Sequence, residues 1–318
     1  LGNEDTGGRC VAIGYNTLAD QNFTTATSTY NTAVGYNAGG AVTTGVGNTI
    51  VGGLAGDALT EGQYNSVLGR SALSAATTGS FNVALGSFSL LSNTTGADNV
   101  SVGYDSLANN TTASYNTAVG RNALKTNILG SKSVALGYSA LEAQNFTTAT
   151  DSYNTAVGYE AGHVVTTGTS NNLIGGLAGD ALTTGSFNQV LGVAALSDDT
   201  QGGRAVAIGH AALGNQNFTT ATDNYNIAIG HNAGLSVTTG IRNNLIGGIA
   251  GDALTDGSNN IGLGFDALGT DTRGCRSVAI GSLALSAQNS STLANMYNVA
   301  VGDNAGAAVT TGVENTLI

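Results

Sequence analysis

Three histidines are the residues of this chain whose chemistry is easiest to imagine. His210 and His231 occupy the same position of two consecutive sequence repeats, whereas His163 occupies a different position. Imidazoles stacked one strand spacing apart could hold a metal ion, particularly if several chains came together. No column of cysteines or carboxylates accompanies them. A variable exposed position is therefore the favoured interpretation, and the pair is only a weak metal candidate.

Aspartates recur in the motif GDAL, at Asp57, Asp180 and Asp252. Carboxylates at a repeated position could bind calcium or contact a sugar. They could equally accept hydrogen bonds from backbone N–H groups in turns, which is a common role of Asp. Because a calcium cage needs further acids and no neighbouring acidic column exists, turn capping is favoured. The sequence predicts no metal and no cofactor.

The two cysteines, Cys10 and Cys275, lie many repeats apart. In a stacked array that separation excludes a bond between them, because a disulfide needs Cα atoms within about 7 Å. We expect two unpaired thiols, which carry no information on the redox compartment.

Four segments, for example AQNFTTATDSY, carry four residues more than their counterparts elsewhere. Extra residues in one repeat of a stacked array bulge from one face as a loop. These loops are the best candidates for receptor contact, although a structural bump that packs on a neighbouring repeat or chain is the favoured interpretation. The candidate contact residues are Phe23, Phe146, Phe218, Asn22, Asn145 and Asn217.

No enzyme motif is present: the chain has no G-x-S-x-G, no paired-His motif and no phosphate-binding loop. A non-enzymatic protein is expected. Threonines recur in five consecutive repeats, at Thr43, Thr60, Thr77, Thr94 and Thr111. Such a column could order water and bind ice, which is a minor alternative.

All these residues are positioned by a 17-residue repeat. Residues 31–47 read NTAVGYNAGGAVTTGVG, and we number this repeat from position 1 at Asn31 to position 17 at Gly47. Thirteen repeats of 17 residues and four of 21, which begin at residues 10, 133, 205 and 277, cover residues 10–314. Both ends stop within a repeat, so we expect residues 1–318 to be one continuous array taken from a longer fibre.

The repeat predicts an all-β, parallel β-solenoid with one turn per 17 residues, because identical positions then form columns joined by backbone hydrogen bonds. Positions 2–4 are expected to form a short strand that an invariant glycine ends with a restricted backbone angle. Asn at position 1 should form an amide ladder. The position-5 glycines are Gly14, Gly35, Gly52, Gly69, Gly86, Gly103, Gly120, Gly137, Gly158, Gly175, Gly192, Gly209, Gly230, Gly247, Gly264, Gly281 and Gly302.

Position 4 is always Val, Leu or Ile, as at Val34 and Ile174, and we expect it to fill the interior. Position 3, as at Ala33 and Leu173, would then face outward, since neighbouring strand residues point to opposite sides. An apolar stripe does not face water over a long surface. The pattern therefore predicts self-association.

Composition excludes several classes of protein. The net charge of −11 leaves no basic footprint for nucleic acid. No run approaches the ~20 apolar residues of a membrane span, so membrane insertion is not expected. Collagen is excluded because the 48 glycines do not recur every third residue and proline is absent.

The segments NTAVGYNAG and SVALGYSAL resemble tandem repeats of bacteriophage tail-fibre proteins, notably those of marine and cyanobacterial phages. SVALG at residues 133–137 and SVAIG at residues 277–281 also resemble the head repeats of trimeric autotransporter adhesins. Both resemblances imply a homotrimeric, left-handed parallel β-roll used for surface attachment. The expected protein is the shaft or distal segment of a tail fibre on the virion, with a host glycan or receptor as partner. The alternatives are a bacterial surface adhesin or extracellular filament and, less favoured, an ice- or glycan-binding solenoid.

Overall fold

The computed structural model describes residues 6–318 and contains strands and turns but no helix over that range. The chain is a parallel β-solenoid of about 18 rungs with ~17 residues per rung, which confirms the predicted solenoid. It divides into two compact units, Leu1–Asn154 and Thr155–Ile318.

The strands are short and follow the repeat. Those of the first unit are β1 (Gly7–Gly8), β2 (Val11–Ile13), β3 (Thr27–Ser28), β4 (Thr32–Val34), β5 (Thr49–Val51), β6 (Ser66–Leu68), β7 (Val83–Leu85), β8 (Val100–Val102), β9 (Thr117–Val119), β10 (Gly130–Ser131), β11 (Val134–Leu136) and β12 (Thr150–Asp151). Those of the second unit are β13 (Thr155–Val157), β14 (Asn172–Ile174), β15 (Gln189–Leu191), β16 (Gly202–Gly203), β17 (Val206–Ile208), β18 (Thr222–Asp223), β19 (Ile227–Ile229), β20 (Asn244–Ile246), β21 (Ile261–Leu263), β22 (Gly274–Cys275), β23 (Val278–Ile280), β24 (Ala294–Asn295), β25 (Val299–Val301) and β26 (Thr316–Leu317).

Equivalent positions of successive rungs pair in parallel, as the repeat predicts. Ala33 of β4 pairs with Ile50 of β5 in the first unit. Leu173 of β14 pairs with Val190 of β15 in the second unit. The register survives a 21-residue rung, because the residue at position 3 of β2 still pairs with Ala33. The four extra residues are therefore accommodated outside this ladder.

Each longer rung forms one small additional pairing. In the second unit β16 pairs with β18, so that Gly203 lies beside Asp223. In the first unit β10 pairs with β12 in the same way, with Ser131 beside Asp151. The end of each inserted loop is thus tied by backbone hydrogen bonds to the corner of the preceding rung.

The position-5 glycines end the strands in a conformation that other residues rarely adopt. Their φ angles lie between +128° and +151° in all seventeen cases. A Cβ added to Gly35 would lie 2.5 Å from the carbonyl oxygen of Gly52, and a Cβ on Gly52 would lie 2.5 Å from that of Gly69. These glycines therefore stack directly on one another, as predicted, and the contact is with backbone that cannot move aside.

The prediction for the two faces of the strand is wrong. Position 3 fills the interior, where Ala33 and Ile50 are fully buried. Position 4 points outward: Val34 is half-buried, and Leu68 retains 53% of its exposure. Both positions are apolar, so polarity could not distinguish them. Position 3 is Ala in most repeats, whereas position 4 is always Val, Leu or Ile, so the smaller of the two side chains usually lies in the interior.

Positions 9 and 12 divide the remaining interior volume between them. Wherever position 9 is Gly, position 12 is Val or Leu, as in the pairs Gly56 with Leu59 and Gly179 with Leu182. Wherever position 9 is Leu, as at Leu73, position 12 is Ala, Asn, Gln or Asp. A small residue at one position is thus matched by a larger one at the other, as a close-packed interior requires.

The asparagines of position 1 form the predicted ladder, and the ladder lies inside the solenoid. Asn65 is fully buried; its backbone N–H donates to Oδ1 of Asn48 at 2.9 Å, and its Nδ2 donates to the same oxygen at 3.1 Å. Nδ2 of Asn65 also donates to the carbonyl oxygen of Gly79 at 3.0 Å. Each amide therefore satisfies backbone groups that no strand ladder reaches.

Candidate functional site

The phenylalanines of the inserted loops lie inside the protein, which corrects their assignment as receptor contacts. Phe23, Phe146 and Phe218 retain 8%, 6% and 6% of their exposure. A loop of four extra residues needs an anchor to remain ordered, and an aromatic ring packed inward supplies a large buried area. A ring covered to this degree presents no surface to a receptor.

The loop tips are the exposed part of these inserts. In the second unit Thr219, Thr220 and Ala221 are exposed, and so is Asn217. The hydroxyl of Thr200 donates to Oδ1 of Asn217 at 3.3 Å. Asn22 is exposed as well, whereas Asn145 is half-buried. A receptor role for the three asparagines stays a prediction.

A buried carboxylate, which the sequence pattern did not reveal, holds one of these loops in the second unit. Asp199 Oδ1 accepts from the backbone N–H groups of Gly202 and Phe218, each at 3.0 Å. Its Oδ2 accepts from Nε2 of Gln216 at 2.6 Å. Burial raises the pKa of Asp199 by desolvation, and the hydrogen bonds oppose this only in part.

The same position carries a carboxylate again at Asp271 and an amide at Asn127. Asp271 Oδ1 accepts from the backbone N–H groups of Gly274 and Ser290. Asn127 in the first unit accepts the equivalent bond from the backbone N–H of Gly130 at 3.2 Å, and its Nδ2 also donates to the carbonyl oxygen of Gly130 at 2.7 Å. The chain therefore contains both a carboxyl and an amide version of one anchoring site.

A surface cleft of about 380 Å³ lies beside the first inserted loop of the second unit. The ring of Phe187 and the side chains of Ser186, Gln201, Thr222 and Asp223 line it. The carboxylate of Asp223 is held by Arg204 Nε at 2.9 Å. Hydroxyl, amide and aromatic groups together suit a small polar ligand, and no catalytic pair of acids lines the cleft.

The two stacked histidines occupy adjacent rungs as predicted. The ring centroids of His210 and His231 lie 5.3 Å apart with an interplanar angle of 13°, and both side chains are exposed. Among residues 6–318, no cluster of three or more His, Cys, Asp or Glu side chains could hold a metal ion. The pair alone offers two nitrogen ligands, fewer than the three or four of a zinc site.

The GDAL aspartates are half-buried at the edge of the solenoid. Burial raises the pKa of Asp57, Asp180 and Asp252 by desolvation. The backbone N–H groups of these residues lower the pKa of Asp57 and Asp180 in part, as expected for an aspartate in a turn. Oδ1 of Asp57 and Oδ1 of Asp180 are buried without a hydrogen-bond partner.

The column of threonines at position 13 is hydrogen-bonded to the backbone of the next rung. The Thr43 hydroxyl donates to the carbonyl oxygen of Thr60 at 3.2 Å, and Thr60 repeats this with Thr77 at 3.0 Å. Cys10 and Cys275 are free thiols, and Cys275 is buried.

The outer surface of the strands carries exposed apolar side chains. We call it the strand face and define it as the outward positions 17, 2, 4 and 6. In each unit it carries the aliphatic side chains of position 4, including the exposed Leu68 in the first unit and the exposed Leu191 in the second. Aromatic rings flank them at positions 6 and 17; Tyr15 stacks on Tyr36 at 5.5 Å between ring centroids.

No helix in the part of the chain described by the structure combines the length and the apolar character needed to cross a bilayer. Comparison with protein-family models and with curated proteins finds no match to this chain.

Proposed function

We propose that this chain is a structural fibre protein that self-associates through its strand face as a homotrimer. The observation that carries the proposal is the exposed aliphatic column at position 4, flanked by exposed aromatic rings. Leu191 and Ile246 of the second unit retain 49% and 39% of their exposure. A contiguous apolar surface of this kind marks an interface in a soluble protein.

Burial of that column would stabilise an assembly substantially. Each Å² of apolar surface removed from water contributes about 25 cal/mol. The backbone is already ordered by the strand ladder, so association does not have to order a loop. Self-association of stacked, hydrogen-bonded rungs gives a stiff fibre, which is the mechanical property an attachment organelle needs.

Within this proposal the fibre is the shaft or distal segment of a bacteriophage tail fibre that attaches the virion to a host surface glycan or receptor. Three-fold symmetry and left-handed coiling follow from the resemblance of NTAVGYNAG and SVALG to tail-fibre and adhesin repeats. A bacterial surface adhesin or extracellular filament would use the same strand face. The role in either case is attachment rather than catalysis.

Sedimentation equilibrium tests the assembly, and immunogold electron microscopy tests the location. We expect a mass of three chains and gold label on the tails of phage particles. Label on bacterial cells with no label on virions would favour the adhesin. A stable monomer at all concentrations would contradict the fibre.

A further inference from the structure

Positive charge is concentrated on the strand face. Seven of the nine Lys and Arg residues occupy positions 6 or 17. They are Arg9, Arg70, Arg121, Lys132, Arg204, Arg242 and Arg276. Fewer acids share these positions, namely Asp98, Asp303 and Glu314. The face is therefore apolar in the middle and mostly cationic along both sides, on a chain whose net charge is −11.

Among residues 6–318, four of these cations have no acidic partner, unlike the two cations off the strand face. Off the strand face, Lys125 pairs with Asp105 at 3.0 Å and Arg273 pairs with Asp256 at 2.6 Å. On the face, Lys132 and Arg204 pair with acids of the inserted loops. Among the described residues no salt bridge is formed by Arg70, Arg121, Arg242 or Arg276.

Aromatic neighbours hold several of the face cations in place. The guanidinium of Arg70 lies 5.3 Å from the ring centroid of Phe88, and that of Arg276 lies 5.7 Å from the ring of Tyr297. Cation–π contacts orient these side chains along the column without neutralising their charge. The strand face therefore carries positively charged side chains in fixed orientations, available to a partner that binds there.

Negative charge is concentrated on the adjacent surface. We call it the acidic edge and define it as positions 7, 10 and 11. In the first unit it carries Asp20, Asp57, Asp105 and Glu142, with Lys125 as its one cation. In the second unit it carries Glu160, Asp180, Asp198, Asp252 and Asp266 with no Lys or Arg.

These acids are held close together at an energetic cost. After desolvation, the largest cause of the raised pKa of Asp180 is the charge of Asp198, followed by that of Glu160. The charge of Asp266 acts on Asp252 in the same direction. Positive charge supplied from outside the chain would relieve this repulsion.

We propose that the strand face of one copy packs against the acidic edge of the next copy. This inference rests on the self-association proposed above and identifies the two surfaces that meet. A closed three-fold ring requires two different, complementary surfaces, whereas a two-fold dimer joins a surface to itself. A contact between two strand faces would bring like charges together and is therefore disfavoured. A contact between a strand face and an acidic edge brings opposite charges together.

Charge-reversal variants of the full chain test this arrangement by sedimentation equilibrium. Arg242→Glu with Arg276→Glu reverses the face, where position 17 already accepts an acid at Glu314. Asp180→Lys with Asp252→Lys reverses the edge, where position 10 already accepts Lys125. We expect each pair to raise the dissociation constant at least about tenfold. Combining all four changes should restore association to within about threefold of the wild type.

Arg273→Glu with Asp256→Arg is the control, because it also reverses two charges, at position 14 outside both surfaces, and it keeps an acid paired with a base there. It should leave association unchanged. Raising NaCl from about 0.05 M to about 0.5 M should weaken the wild-type assembly by screening.

The outcomes distinguish this inference from the fibre proposal. A trimer that is insensitive to the edge reversal would overturn the inference and leave the fibre intact. A wild-type monomer would overturn both. A monomer that binds phosphatidylglycerol vesicles through Arg242 and Arg276 would show that a membrane, rather than a second copy, covers the face.

Discussion

Gly179 and Leu182 share one volume of the interior: a Cβ added to Gly179 would lie 2.9 Å from Cδ1 of Leu182. The same Cβ would lie 2.9 Å from Cδ2 of Leu173. Leu at position 9 is tolerated elsewhere, since Leu73 has a φ of +53° and is fully buried beside Ala76. The neighbouring volume, rather than the backbone angle, therefore decides which residue position 9 accepts.

Gly179→Leu should overfill this rung and lower the free energy of unfolding by about 1–3 kcal/mol. Adding Leu173→Val and Leu182→Ala reproduces the interior that Val67, Leu73 and Ala76 form in the first unit. This triple variant should recover most of the loss in a denaturant titration. If Gly179→Leu left the free energy of unfolding unchanged, the matching of side-chain volumes between positions 9 and 12 would be wrong.

Gly52→Ala should destabilise the protein by more than about 4 kcal/mol, because the new methyl group meets the backbone of Gly69 at a φ of +136°. Gly53 is the matched control one residue away. A Cβ on Gly53 meets nothing within 4 Å, so Gly53→Ala should change the midpoint of thermal unfolding little. Equal effects of the two substitutions would refute the stacking argument.

Asp199 should make stability depend on pH, and Asp199→Asn should remove that dependence. The pKa of Asp199 is raised by burial above its value in the unfolded chain, about 3.9. Its contribution to stability is therefore fully present below that value and is lost as pH rises through the folded-state pKa.

Urea titrations across this pH range measure the effect as the difference between wild type and variant. Asn127→Asp provides the reverse experiment, because it places a carboxylate at the equivalent position of the first unit. It should introduce the same loss of stability with rising pH. Parallel pH profiles for wild type and Asp199→Asn would exclude Asp199 as the cause.

Phe218→Ala should lower the free energy of unfolding by about 3–5 kcal/mol, because it removes the buried ring that anchors an inserted loop and leaves a cavity. Asn217→Ala changes the exposed neighbour and should stay within about 0.5 kcal/mol of the wild type. Denaturant titration of both variants separates an anchor from a surface contact. A stable Phe218→Ala protein would contradict the anchoring role.

Leu191→Glu and Ile246→Glu, both at position 4, should dissociate the assembly and leave the fold intact, because these side chains point out of the solenoid and would face the acidic edge of the next copy. Val190→Glu, one residue along, places a charge in the interior and should unfold the rung instead. Sedimentation and circular dichroism together distinguish the two results. Unchanged association of both position-4 variants would exclude the strand face as the interface.

The spacing of residues determined the period, the parallel register, the glycine column and the asparagine ladder. Each of these follows from one local requirement repeated every 17 residues. Gly52 meets Gly69 because their backbones stack, and Asn65 meets Asn48 because an amide can donate and accept along the axis. The positive φ of non-glycine residues at positions 7 and 17, such as Asn37 and Tyr64, was not foreseen. The frequent Asn at position 7 was the available signal.

Only the tertiary structure decided which side of each strand faces inward and where the inserted loops point. Ala33 and Val34 are both apolar, so the choice depended on how the whole rung packs around its interior. Phe218 turned inward because Asp199, from the preceding rung, holds the loop by its backbone. Side-chain packing and contacts between rungs decided these features, and a one-dimensional pattern contains neither.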